Sequence, residues 1–290
     1  MRRRWFVLAP LSLFAQAPPV SLKVAAVQFR SSYKLEENLP RIVAKLRELA
    51  AQGVRVAVFP ECALTGYDRD AVQSVSPAQL AAAETTIRNT CRELNIAAIV
   101  GSAYKTPAHL YNAALVINAK GELVERYAKV YLAGEKWFTP GNHIAYFELE
   151  GVRSTVMICH DERYPELVRL PAIEGARVAY YISHESAVEQ ESKLAPYRAQ
   201  LMARAVENGV YIVAANAPAN RTGGGSHGQS RIVAPDGNVR HEASMFGEEV
   251  LIDTLEIKPG KLDRPLNEAL GDWWRSGVEW MKARRGRELE

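Results

Sequence analysis

From Leu22 onward the chain alternates short apolar runs with stretches whose apolar residues recur every three or four positions. Residues 22–29 read as a strand, and Leu39, Ile42, Val43, Leu46 and Leu49 then share one helical face that Gly53 closes. Residues 54–59 are almost continuously apolar, as a strand covered on both faces requires, and the run stops at Pro60-Glu61. Ser76-Pro77 opens a second helix, a capping residue followed by proline in the first turn, that extends to about Leu94. Residues 96–104, 111–117 and 122–129 read as strands, the last two joined by a turn at Asn118-Ala119-Lys120-Gly121.

Residues 130–142 read as a loop, after which strand-like runs at 144–149 and 154–158 lead into Cys159. A helix over 165–174, a buried strand over 178–182, a helix over 192–207 and a strand over 211–215 follow. Runs at 230–234 and 239–241 flank the turn Pro235-Asp236-Gly237-Asn238, and 249–253 closes the series of strands. Mixed strands with interspersed amphipathic helices, and no repeat or low-complexity linker, predict an α+β fold. Two sheets lie face to face with helices outside, in one domain spanning 22–258. In the tail, 259–290, Trp273, Trp274, Val278, Trp280 and Met281 are mixed with Arg275, Arg284, Arg285 and Arg287. Such an amphipathic segment fits packing back on its own domain or docking on a second subunit.

Composition narrows the class. The chain has 290 residues, 48% of them hydrophobic, enough for a large core. Its 36 basic and 33 acidic residues are too evenly balanced to imply a nucleic-acid or membrane-surface partner. Residues 1–17 have the layout of a secretory signal: Arg2-Arg3-Arg4, the apolar run from Trp5, then Ala15-Gln16-Ala17. The run is too short to span a bilayer comfortably, and the arginines also resemble a twin-arginine export signal. The expectation is an exported protein whose mature chain starts near Pro18, or a cytoplasmic one if the leader does not function. Three cysteines, Cys62, Cys91 and Cys159, cannot form a disulfide scaffold, and their odd number leaves a free thiol. Cys91 and Cys62 read as small buried hydrophobes.

The candidate chemistry sits where apolar strands stop. Phe59-Pro60-Glu61 offers a carboxylate, Tyr127-Ala128-Lys129 an amine and Ile158-Cys159-His160-Asp161 a thiol. Strand ends of layered α/β folds are where reactive groups converge. Taken singly, Glu61 reads as a surface acid, Lys129 as a solvated lysine and Cys159 as an inert thiol. Taken together they make a nucleophile with a base and an electropositive neighbour, which a thiol of free pKa about 8.5 needs. Such a set attacks an electron-poor carbon bonded to nitrogen. His160 and Asp161 are adjacent on a turn without a second His/Cys cluster, so a metal site is not expected. Asp161 and Glu166 read as structural groups that fix the turn and the helix start.

These segments resemble the three signature motifs of the nitrilase, or carbon–nitrogen hydrolase, superfamily, in the family's order: Phe59-Pro60-Glu61, Tyr127-Ala128-Lys129-Val130 and Cys159-His160-Asp161-Glu162-Arg163-Tyr164-Pro165-Glu166. Leu64-Thr65-Gly66-Tyr67, Phe138-Thr139-Pro140-Gly141, Arg204-Ala205-Val206-Glu207-Asn208 and residues 230–237 extend the likeness over roughly 22–257. The resemblance implies a four-layer αββα sandwich that associates as a homodimer or higher homo-oligomer, a cofactor-free reaction, and a second glutamate after the lysine, for which Glu135 is the candidate. It implies hydrolysis of a small linear amide or N-carbamoyl compound with release of ammonia. A nitrile substrate, or a non-catalytic binding module, stands as the alternative. Tyr67, His160, Arg163, His184 and Glu185 are the candidates to line the substrate pocket. His160 departs from the residues common after the nucleophile in relatives. Arg163 either pairs with a structural carboxylate or binds a substrate carboxylate, and Glu185 either sits in a solvated loop or attracts an amine.

Overall fold

Strands that are apolar on both faces acquire cover on both faces. In β1 (Val20–Gln28), Val24 and Ala26 point to one side and Ala25 and Val27 to the other, and all four are buried. The same split holds through β2 (Val56–Val58) and β3 (Ala97–Lys105). The computed structural model of the chain describes residues 19–185, 194–222, 224–258 and 272–284. The signal-like stretch 1–17 lies outside the described residues, as does most of the tail.

The first sheet has the order β12-β1-β2-β3-β4-β5, where β4 is Leu110–Ile117, β5 Leu123–Ala128 and β12 Glu249–Ile257. The second has the order β11-β10-β9-β8-β7-β6, comprising β6 (Phe147–Leu149), β7 (Val152–Ile158), β8 (Val178–Ser183), β9 (Tyr211–Asn216), β10 (Arg231–Val233) and β11 (Val239–Glu242). Each sheet has a parallel centre, β1-β2-β3 in one and β7-β8-β9 in the other, flanked by antiparallel strands. Val24, Val56, Val58 and Ile99 of the first sheet meet Val156, Ile158, Tyr180 and Val213 of the second in a dry layer between them. On the outside, α1 (Leu35–Ala51) and α3 (Pro77–Leu94) set Ile42, Leu46, Leu49 and Ile87 against the first sheet. On the far side, α4 (Glu166–Ile173) and α5 (Leu194–Asn208) set Leu167, Val168, Leu201 and Ala205 against the second. The layers are therefore helix, sheet, sheet, helix, the α+β sandwich expected from the sequence.

Local signals act as expected at α3. The Ser76 hydroxyl accepts from the backbone of Gln79, whose side chain reaches back, and Asn95 ends the helix in the left-handed region. Two strand lengths and one helix are the main differences from the sequence reading. The strand at 249–253 continues to Ile257, because its whole length pairs antiparallel with β1, from Val20 opposite Ile257 to Gln28 opposite Glu249. The strand at 144–149 contracts to Phe147–Leu149, the only part paired with β7, although Ile144, Ala145 and Tyr146 are buried. A short helix, α2 (Arg69–Ser74), was not expected, and Asp68 caps it by accepting from Ala71 N–H. The tail's helix, α6 (Asp272–Ala283), packs Val278 and Met281 into the cluster that holds α4, and Lys282 pairs with Glu174 at 2.5 Å. This favours packing on its own domain for that face, while Trp280 stays exposed.

Two glycines let backbone approach the strand ends. A Cβ on Gly101 of β3 would lie 2.2 Å from the Pro60 carbonyl oxygen and 2.7 Å from the Cα of Glu61. One on Gly141 would lie 2.2 Å from the carbonyl oxygen of Ala128, next to Lys129. Gly101→Ala is expected to lower stability by about 1–3 kcal/mol through backbone overpacking, measured by urea denaturation. A change below about 0.5 kcal/mol, within the range of an ordinary surface substitution, would show that the Glu61 turn yields freely.

Candidate active site

β2 runs out of partners at Val58, and the chain turns sharply over Pro60–Thr65, with Cys62 in the left-handed region at φ 50°. Phe59 N–H to Ile99 O (2.8 Å) and Leu64 N–H to Gly101 O (3.0 Å) tie this turn to β3. It delivers Glu61 to a fully buried position. Asn112 of β4 donates to Glu61 Oε1 at 2.6 Å, and the His184 N–H donates to Oε2 at 2.7 Å.

Lys129 continues from β5. Its N–H bonds Asn112 O and its carbonyl accepts from Gly141 N–H, so the backbone is held on both sides. The side chain has no solvent exposure, and Nζ lies 3.0 Å from Glu61 Oε1 and 2.6 Å from Glu135 Oε1. Glu135 also accepts from the Tyr67 hydroxyl at 2.6 Å and from the Ala133 N–H. The loop glutamate that the family resemblance implies thus joins the lysine.

Cys159 ends β7 at φ 49°, in a region unfavourable for any residue with a Cβ, and opens the 3-10 turn Cys159–Arg163. Asp161 pins that turn by accepting from Ile158 N–H, Tyr131 N–H and the Tyr127 hydroxyl. The Tyr181 hydroxyl oxygen lies 3.2 Å from the Cys159 carbonyl oxygen. Cys159 is only partly buried, whereas Cys62 and Cys91 are sealed in the core.

Burial pushes the Glu61 carboxyl above the ordinary carboxylate range, and Glu135 adds to that against the opposing pull of Lys129. Glu135 lies below its ordinary value: burial works against its charge, but Lys129 and the hydrogen bonds from Tyr67 and the backbone together outweigh it. Burial likewise disfavours the Lys129 ammonium, and the negative charge that Cys159, Glu61 and Glu135 carry when ionised overcomes it and holds its pKa up. Burial and then Glu61 push the Cys159 thiol well up, with Lys129 opposing. These directions favour a thiol at Cys159 and an ammonium at Lys129. Burial and Lys129 bring His184 down to about 4, so its ring is neutral at pH 7.

Cys159 and His184 border a cleft of about 500 Å³. Tyr67, His160, Arg163, His184 and Glu185 all line it beside Cys159, and Tyr67 stacks on His184 with ring centroids 4.9 Å apart. Arg163 forms no ion pair with a carboxylate among the described residues. Its guanidinium lies 6.0 Å from the Tyr197 ring centroid. Asn112, Glu162, Tyr181, Tyr197 and His227 also belong to the site or its support, and nothing in the local sequence pattern marked them. Among the described residues no group of three or more His, Cys, Asp or Glu side chains is placed to hold a metal ion.

Residues 23–259 match the carbon–nitrogen hydrolase family. The chain belongs to that family. This carbon–nitrogen hydrolase is 27% identical over 246 residues to the 2-oxoglutaramate amidase of Bacillus subtilis, covering 81% of this chain and 93% of that one. It is 30% identical to a nitrilase of Pyrococcus abyssi, over 81% and 90% of the two chains. Among solved structures it is similar to a variant of the amidase from Nesterenkonia sp. AN1 that carries the acetamide moiety of fluoroacetamide on its active-site cysteine. That pair has a TM-score of 0.73 and 25% identity, over 81% and 90% of the chains.

The Asp161 bonds support a prediction for this carbon–nitrogen hydrolase. Asp161→Ala strands a buried tyrosine hydroxyl and two backbone donors, so stability is expected to fall by about 2 kcal/mol or more. Urea denaturation measures it, and an unchanged midpoint would show that the turn does not depend on this carboxylate.

Proposed function

We propose that the protein hydrolyses the C–N bond of a small linear amide or N-carbamoyl compound through a thioester on Cys159, releasing ammonia. The observation that carries this reading is the buried Lys129 ammonium held between Glu61 and Glu135, whose charge, with that of Glu61, acts on the Cys159 thiol lining the cleft. Glu61 receives the thiol proton as sulfur attacks the amide carbon, and the C–S bond forms as the carbonyl becomes an oxyanion. Lys129 and the backbone N–H of His160 stabilise that oxyanion. Collapse of the intermediate breaks the C–N bond, and the proton on Glu61 passes to the leaving nitrogen. Water, deprotonated by the same carboxylate, then cleaves the thioester to the acid and restores the thiol.

The burial of Glu61 serves this cycle, because a carboxyl whose pKa is raised is both a stronger base toward a thiol and a better proton donor to nitrogen near neutral pH. Glu135 keeps Lys129 charged and fixed, and Asn112 and the His184 N–H fix Glu61. Supporting the amide over the nitrile reading is the family relative named as an amidase, matched along 93% of its length.

Ammonia release from a panel of amides, ureides and nitriles tests the proposal. Cys159→Ala is expected to lower kcat/KM by roughly 10⁴-fold or more, while Cys91→Ala keeps it within about threefold, its thiol being remote in the core. Equal losses in the two variants, or no turnover across the panel, would overturn it. The base must be ionised to act, so kcat/KM is expected to fall as pH drops through the raised pKa of Glu61, above the usual carboxylate range. An acid limb at an ordinary carboxylate pKa would remove Glu61 from that role.

A further inference from the structure

Glu162, three residues past Cys159, is an unusual presence in the cleft wall. It is 1% exposed, and neither of its carboxylate oxygens has a hydrogen-bond partner among the described residues. The Tyr181 hydroxyl, which lies near it, donates to Glu185 instead. Glu185, also buried and also lining the cleft, pairs its second oxygen with His227 Nε2 at 2.8 Å. The two carboxylates act on each other: burial raises the Glu162 pKa most and Glu185 raises it further.

The neighbouring arginines, Arg163 and Arg231, favour the Glu162 charge only from a distance. Arg231 pairs with Glu242 at 3.4 Å and Arg163 is exposed at the rim over Tyr197, and neither stands within 4.0 Å of Glu162. Within and just behind the cleft, four buried carboxyl groups (Glu61, Glu135, Glu162 and Glu185) share one buried lysine and one buried arginine, Arg231, which acts on Glu162 and Glu185 without an ion pair to either. A buried carboxylate without a donor costs free energy, and that cost is offset when a ligand brings the missing positive charge. An ammonium, with three donors and a unit charge, is the complementary group.

We infer that Glu185, with Glu162 behind it in the wall, forms a cation subsite, and that the amide cleaved at Cys159 bears a positively charged nitrogen at its other end. This rests on the amidase reading for the substrate's reacting end, but the subsite is a matter of binding and is separable from turnover. Glu185 makes the direct contact, and Glu162, its oxygens covered, acts through the low-dielectric wall, where a charge is felt more strongly than in water. Arg163 at the rim then has no substrate carboxylate to clamp.

Calorimetry on the Cys159→Ala protein tests the subsite without catalysis, using 5-aminopentanamide, pentanamide and glutaramate, which differ in terminal charge. The cationic amide is expected to bind about tenfold or more tighter than the neutral one, and the anionic one more weakly still, as charge-assisted contacts imply. Adding Glu162→Gln should shrink the cationic-to-neutral ratio by about threefold or more, and Glu185→Gln should do so by a larger factor. Equal binding of the three amides, or preference for glutaramate, would overturn the inference, and this comparison needs no variant of Glu162 to fold. A ratio unmoved by both substitutions would place the cation elsewhere and overturn it as well. Turnover by the wild-type protein reports separately on the amidase reading.

Discussion

An ammonium placed where no water reaches is stable only if fixed negative charge surrounds it, and the rest of this site follows from satisfying Lys129. Two carboxylates do so, and each must then be held against its own burial. Asn112 and the His184 N–H secure Glu61, while Tyr67 and the Ala133 N–H secure Glu135. The groups of this cluster come from β4, from the ends of β2, β5 and β8, and from the loop after β5. The cluster therefore ties the two sheets together where their strands stop. What makes the ammonium expensive to bury also makes it effective, because its field is not screened where charge develops on a carbonyl oxygen.

That demand explains features of the fold with no other purpose. The sharp turn carrying Glu61 exists because Gly101 gives up its side-chain volume, and the backbone under Lys129 is reached by Gly141 in the same manner. Cys159 is held in a left-handed conformation by a carboxylate, Asp161, that spends its hydrogen bonds on the turn rather than on chemistry. Strain at the nucleophile and support beneath it are two sides of one arrangement, with Cys159 and His160 both lining the cleft.

Much of this was legible before any coordinates. Strand cores announce themselves through continuous apolar runs, and the abrupt arrival of Glu61, Lys129 and Cys159 at the ends of three such runs marks a shared locus. Glu135 was legible only through family likeness, since an acid in a loop beside Lys136 carries no pattern of its own. Asn112 and Glu162 were not singled out at all. Asn112 interrupts a strand as many polar residues do, and Glu162 sits among acids that look solvated, so only burial distinguishes it. The length of β12 was underestimated because its outward residues, Thr254 and Glu256, look like a strand's end unless β1 is known to lie beside them.

The account turns on sulfur attack within this charged cluster, and intact-protein mass spectrometry tests that most directly. Incubated with hydrolysable amides and quenched in acid, the protein is expected to gain the mass of the acyl group, mapped by digestion to Cys159 and absent from Cys159→Ala. Turnover without any adduct, or an adduct that maps to Cys62 or Cys91, would contradict it.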